Sequence, residues 1–146
     1  MNTTLINKIK TSFKETFETT PLMIFSPGRI NIIGEHTDYN DGFVFPAAIN
    51  KGIVAAIQKS DSKTSIAYAV DKEEQIVFSL DQLKPSAQGS WENYVFGVIA
   101  EIQNRSKTIG NFNIAFGGDI KITYGFTPIL NFCHHTKHII FPVSFG

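Results

Sequence analysis

Leu5, Ile9, Phe13 and Phe17 recur every fourth residue, with Ile6 beside them. That spacing puts them on one face of a helix and predicts such a helix over residues 3–18. Pro21 ends it, because a proline has no N–H to continue the ladder. From there the period changes. Residues 22–34 are rich in Ile and Met and contain Pro27-Gly28, which reads as strand, turn, strand. Phe43-Val44-Phe45 and Gly52 to Ile57 read as two more strands, joined through Pro46 and Asn50-Lys51-Gly52. Residues 65–70 and 75–80 alternate apolar and polar, with Asp71-Lys72-Glu73-Glu74 as the hairpin loop between them. After a loop over 85–90, Trp91, Tyr94, Val95, Val98, Ile99 and Ile102 return to helical spacing. Ser90 is the expected N-cap there, with Glu92 and Asn93 in the first turn. Gly110 follows this helix, residues 111–116 alternate as a strand, and Gly117-Gly118 reads as a turn. Helix, many strands, helix, strand is an α+β order, with helices packed on a mixed or antiparallel sheet.

Size and charge narrow the partners. The 146 residues fit one domain, and 42% hydrophobic residues, with 13 Phe among them, supply a core. Lys+Arg and Asp+Glu stand at 13 each, so the formal net charge is zero. Nucleic acid leaves a basic footprint, which this balance lacks, and the same balance argues against a polybasic membrane surface. No apolar run reaches the ~18 residues that a membrane span needs. Met1-Asn2-Thr3-Thr4 shows no basic region followed by an apolar stretch, so no secretory signal is expected. Cys133 is the one cysteine and cannot form an internal disulfide. The expectation is a cytoplasmic protein with neither nucleic acid nor membrane as partner.

The chemistry concentrates in one place. Between Arg29 and Asp38 stand one guanidinium, two acids and one imidazole, preceded by Pro27-Gly28 and interrupted by the apolar Ile30, Ile32 and Ile33. Carboxylates and imidazole pair with hydroxyl groups, and an arginine steadies a developing negative charge. Such a set suits a small molecule made almost entirely of hydroxyls. A lone Glu-His-x-Asp is ordinarily a solvated loop, and a lone arginine an ion pair. The flanking Gly-Arg-x-Asn-x-x-Gly and Tyr39 turn the reading toward a site.

The run Gly28-Arg29-Ile30-Asn31-Ile32-Ile33-Gly34-Glu35-His36-Thr37-Asp38-Tyr39 resembles the galactokinase signature of the GHMP group of small-molecule kinases. The similarity extends more loosely from about residue 8 to about residue 120. The resemblance implies the N-terminal fold of GHMP kinases (ribosomal S5 domain 2-like), left incomplete. It implies ATP-dependent phosphorylation of galactose to galactose 1-phosphate, with ATP and Mg2+ as the family's cofactors. Glu35, His36 and Asp38 would grip sugar hydroxyls, Thr37 would line the same turn, and Arg29 would stabilise the transition state. Trp91 would lie near the adenine, although its spacing with Tyr94 equally suits core residues. Two other readings are a non-catalytic galactose sensor and a kinase of a related sugar such as N-acetylgalactosamine. His36-Thr37-Asp38 followed by Asn40-Asp41-Gly42 resembles the galactose branch more.

The resemblance stops abruptly. Galactokinases follow Gly-Asp-Ile with a proline and a Gly- and Ser-rich loop that cradles ATP phosphates at a helix N-terminus. Here Gly118-Asp119-Ile120 runs into Lys121-Ile122-Thr123-Tyr124-Gly125-Phe126-Thr127-Pro128. The magnesium-holding acid, the aspartate base and the C-terminal domain have no counterpart. Residues 121–146 hold no Asp or Glu but three of the four His, the Cys and five aromatics. The division expected is a truncated galactokinase-like sugar-binding domain over 1–120 and a divergent tail over 121–146, of the kind a shifted reading frame produces. By itself such a chain would be inactive as a kinase. Cys133, His134, His135 and His138 are zinc-ligand types, but they read as accidental neighbours in that tail, and no metal site is assigned.

Overall fold

The computed structural model describes residues 2–33, 43–105 and 108–119. They form a five-stranded sheet with helices on both faces. The first helix, α1 (Thr3–Phe17), follows the four-residue stripe: Leu5, Ile9 and Phe13 are its buried residues. Asn2 caps it, its side-chain oxygen accepting the Leu5 amide at 3.2 Å. It ends before Pro21, at Glu18, whose left-handed backbone (φ 54°) directs its N–H back to the Lys14 carbonyl.

The strands are β1 (Leu22–Ile33), β2 (Phe45–Lys59), β3 (Ser65–Ala69), β4 (Glu74–Phe78) and β5 (Phe112–Gly118). Their order across the sheet is β1-β2-β5-β3-β4. The β1–β2, β2–β5 and β3–β4 pairs are antiparallel, and β3–β5 is parallel. The sheet is therefore mixed. The parallel pair needs a long crossover, supplied by β4 and the second helix, α2 (Glu92–Asn104).

Strand alternation sorts the two faces. Val54, Ala56, Val70 and Ala115 close over α1 with Leu5, Ile9 and Phe13, and Met23, Phe25 and Tyr68 border this cluster. Ile9 and Phe13 are fully enclosed, each burial contributing roughly 2–3 kcal/mol. Small residues at 56 and 115 let the helix approach the strands. The alternate residues Phe112 and Phe116 serve the other face. Phe78 meets Phe96 of α2 at 5.3 Å and Phe112 at 6.0 Å, both edge to face.

Four local expectations are corrected. Pro27-Gly28 is no turn: β1 runs through it, because β1 is an edge strand and tolerates a residue without an N–H. Residues 45–59 are one strand, not two joined at Pro46 and Asn50-Lys51-Gly52, since β5 pairs only with 53–59 and leaves Pro46 one open side. Gly117-Gly118 closes β5 and is not a turn. Ser90 does not cap α2. Trp91 occupies the cap position without a side-chain bond, while Asn93 turns back to the 86–87 loop, accepting from Ser86 N at 2.7 Å and donating to Ala87 O at 2.9 Å.

Candidate functional site

Arg29 stands on β1 opposite Ala48, with its side chain exposed. The strand pair is regular from Leu22↔Ile57 to Pro27↔Gly52 and then breaks step. Between Pro27↔Gly52 and Arg29↔Ala48, β1 advances two residues and β2 four. A second irregularity falls between Asn31 and Ile33. Such bulges re-aim side chains, and these two bracket the arginine and lead into the motif.

Gly52 makes the first break sterically feasible. A Cβ on it would lie 2.1 Å from the Ser26 carbonyl oxygen and 2.9 Å from Pro27 Cα. Only a residue without a side chain allows the two backbones to come so close. Gly28, between the paired residues, is buried. On its other side Gly52 meets Asp119, just beyond β5. The Gly52 amide donates to Asp119 Oδ1 at 2.8 Å, and the Asp119 amide donates to the Gly52 carbonyl at 3.2 Å. Asp119 Oδ2 accepts from Asn2 Nδ2 at 3.2 Å, which ties the start of α1 to the same point. The Gly52 bond, helped by Asn2, holds the Asp119 carboxyl below its ordinary value.

Glu35, His36, Thr37 and Asp38 lie within 34–42, outside the described residues. So do Cys133, His134, His135 and His138 of the tail. Arg29 and Trp91 are placed, and the structure does not bring their backbones together. Trp91 stacks edge to face on Phe116 at 5.6 Å, and Phe116 pairs with Ala55. From Ala55 to Ala48, the partner of Arg29, is roughly 20 Å along β2 at about 3.3 Å per residue. The indole Nε1 of Trp91 donates to Glu74 Oε2 at 2.7 Å, a bond that links α2 to β4. Sequence reasoning missed Gly52, Asp119 and Glu74. The signal for Gly52 was present, since a glycine inside an apolar strand marks a close backbone approach.

Among the described residues no group of three or more His, Cys, Asp or Glu side chains is set to hold a metal ion. No helix among them is long and apolar enough to cross a membrane.

Among the known proteins compared with this chain, one family model falls on this strand pair. Residues 11–59 match the family model described as the galactokinase galactose-binding signature, a span covering α1 from its third turn and the whole β1–β2 pair. Mevalonate kinase of Methanococcus jannaschii shares the fold, with a TM-score of 0.58 at 18% identity over 73% of this chain and 35% of that one. Lactococcus lactis galactokinase, solved with galactose, gives a TM-score of 0.75 at 35% identity over 84% of this chain and 33% of that one. The fold is that of the N-terminal part of small-molecule kinases of the GHMP group.

Within that class the sequence relationship is specific. Galactokinase of Glaesserella parasuis serovar 5 is 44% identical over 103 residues, 70% of this chain and 27% of that protein. Over this stretch the chain is similar to the galactokinases. It spans about a quarter to a third of the length of the relatives it matches.

Proposed function

We propose that this chain is the galactose-binding part of a galactokinase-type enzyme, whose reaction transfers the γ-phosphoryl group of ATP to the anomeric hydroxyl of galactose. The observation that carries this reading is the position of the signature. Residues 11–59 span a strand pair broken on both sides of Arg29, and the run of acids and imidazole follows at once. Glu35, His36 and Asp38 take the sugar hydroxyls, with Thr37 in the same turn. Carboxylates suit neighbouring hydroxyls because each oxygen accepts more than one hydrogen bond. An epimer that leaves one acceptor unpaired loses about 1–3 kcal/mol, which sets the specificity. Arg29 is assigned to the charge that develops on the transferring group.

Residues 1–120 are the sugar-binding domain and 121–146 a divergent tail in this reading. No Gly- and Ser-rich phosphate loop follows Ile120 in the sequence, so the chain binds sugar without transferring phosphate. No residue of this chain is assigned to magnesium. Trp91 keeps a place near the adenine only if nucleotide perturbs it.

Calorimetry tests the reading. Galactose is expected to bind, and its C4 epimer glucose to bind at least about tenfold more weakly, the factor that 1.4 kcal/mol sets. Asp38→Asn is expected to weaken galactose by roughly tenfold to a hundredfold. Equal affinity for both sugars, or no binding at all, overturns the assignment. Galactose-dependent turnover of ATP overturns the separation of binding from transfer.

A further inference from the structure

The break in strand register before Arg29 is held from behind. Gly52 lies between two backbones: Ser26 and Pro27 on one side, too close for any Cβ, and Asp119 on the other. The last regular β2–β5 pair is Ile53↔Gly118, so the next step of that ladder is where Asp119 takes over with its amide and its carboxylate. The carboxylate therefore fixes Gly52 at the residue where β1 and β2 lose step. We propose that Asp119 is a positioning residue for Arg29, acting through Gly52 to hold the bulge that presents the guanidinium. What that positioning serves rests on the sugar-site reading above; the mechanical link does not.

The anchor is distinct from its neighbour. Asp71, in the turn between β3 and β4, accepts the Gly118 amide at 2.7 Å and Lys8 Nζ at 2.9 Å. It secures the end of β5 to α1 without touching Gly52. The charged groups around Asp119 are Lys51 on β2 and, one residue along β5, the Asp71–Lys8 pair. Asn2, its partner on α1, carries no charge.

Backbone amide NMR of the whole chain reads the link directly. Asp119→Ala is expected to move the signals of both Gly52 and Arg29. Asp119→Asn keeps an oxygen acceptor and is expected to return both toward their original positions. Asp71→Ala is expected to leave Arg29 in place. An Arg29 signal that stays fixed in Asp119→Ala while Gly52 moves overturns the proposal. So does an Arg29 shift of equal size in Asp71→Ala, which would report general loosening of the β5 end. Should Asp119→Ala fail to fold, acid titration of the unaltered chain decides. The Asp119 carboxyl carbon, the Gly52 amide and the Arg29 amide are expected to share one midpoint, and an Arg29 amide that does not follow it overturns the link. Galactose added to the same sample separates the two readings. If no signal moves, the sugar site fails while the positioning result stands.

Discussion

Lys8 and Asp71 join α1 to the β3–β4 turn by a 2.9 Å ion pair between half-exposed side chains. The hydrogen bond and charge of Asp71 raise the Lys8 ammonium above its ordinary value. A raised lysine stabilises the fold fully at pH values below its unfolded-state value near 10.5, and the contribution disappears as pH climbs through the higher folded-state value. The pair faces water, so a double-mutant cycle is expected to give a coupling of about 0.5 kcal/mol that shrinks with added salt. Asp71→Ala is expected to cost more than Lys8→Ala, because it also deprives the Gly118 amide of its acceptor. Urea melts of the variants at low and high salt check both statements.

Gly52→Ala is expected to destabilise the fold by about 3 kcal/mol, toward the upper end for overpacking, because two of the three near contacts of the new methyl, Ser26 O and Pro27 Cα, are backbone and the third is the Phe25 ring. Gly117→Ala is expected to cost less. Its Cβ would meet only side-chain atoms, of Asp71 and Ile9, rather than backbone. Thermal denaturation of the two variants side by side gives the order, and a Gly117→Ala loss equal to that of Gly52→Ala would contradict it.

Phe13→Ala is expected to cost about 3–5 kcal/mol. The ring is fully enclosed, stacks on Phe17 at 4.6 Å, and leaves a cavity between helix and sheet. A loss of that size consumes much of the stability of a small domain, so loss of helical signal at 37 °C is the expected outcome.

The Asp119 carboxyl titrates below its ordinary value because it accepts the Gly52 amide. A depressed carboxyl stabilises the fold above its unfolded value near 3.8, and the contribution is lost as pH falls through the lower folded value. Asp119→Asn is expected to flatten the acid end of the stability curve by lowering stability at neutral pH while changing little where the carboxyl is already protonated. Denaturant midpoints between pH 2 and pH 7 measure it on the pH axis alone, and an unchanged acid limb would show that other carboxylates govern it.

Trp91 is the single tryptophan, so its fluorescence is a clean reporter. Its indole N–H is engaged by Glu74 and its ring by Phe116. Glu74→Gln is expected to shift the emission. ATP is expected to quench it only if the nucleotide comes to this corner of the fold. A Trp91→Phe variant is expected to lose about 1 kcal/mol, the usual net worth of a hydrogen bond.

The residues that announce themselves in the sequence are those with a repeating spacing. The stripe from Leu5 to Phe17 defines α1 within one residue, and the alternation over 65–80 defines the β3–β4 hairpin. Punctuation was less faithful. Pro27-Gly28 and Asn50-Lys51-Gly52 are turn-like in composition, yet they lie opposite each other in one strand pair. Their glycines provide space between backbones, which a local reading cannot distinguish from a reversal of direction. Ser90 failed as a cap because the following residue, Trp91, is drawn by Glu74 and Phe116 into the helical region itself. Of the residues singled out for their chemistry, Arg29 is placed on β1, while Glu35, His36, Thr37 and Asp38 lie outside the described residues. The Asp119–Gly52 contact was not legible in the sequence, since it joins positions 67 apart in the chain.

In chain order β5 comes after the other four strands, yet it occupies the middle of the sheet. During synthesis α1, β1 and β2 must wait on one side and the β3–β4 hairpin on the other until residue 118 leaves the ribosome. Until then β2 and β3 each present an open hydrogen-bonding edge to the surrounding solvent. Slowing translation ahead of β5 therefore lengthens the interval in which a nascent chain is exposed to mispairing.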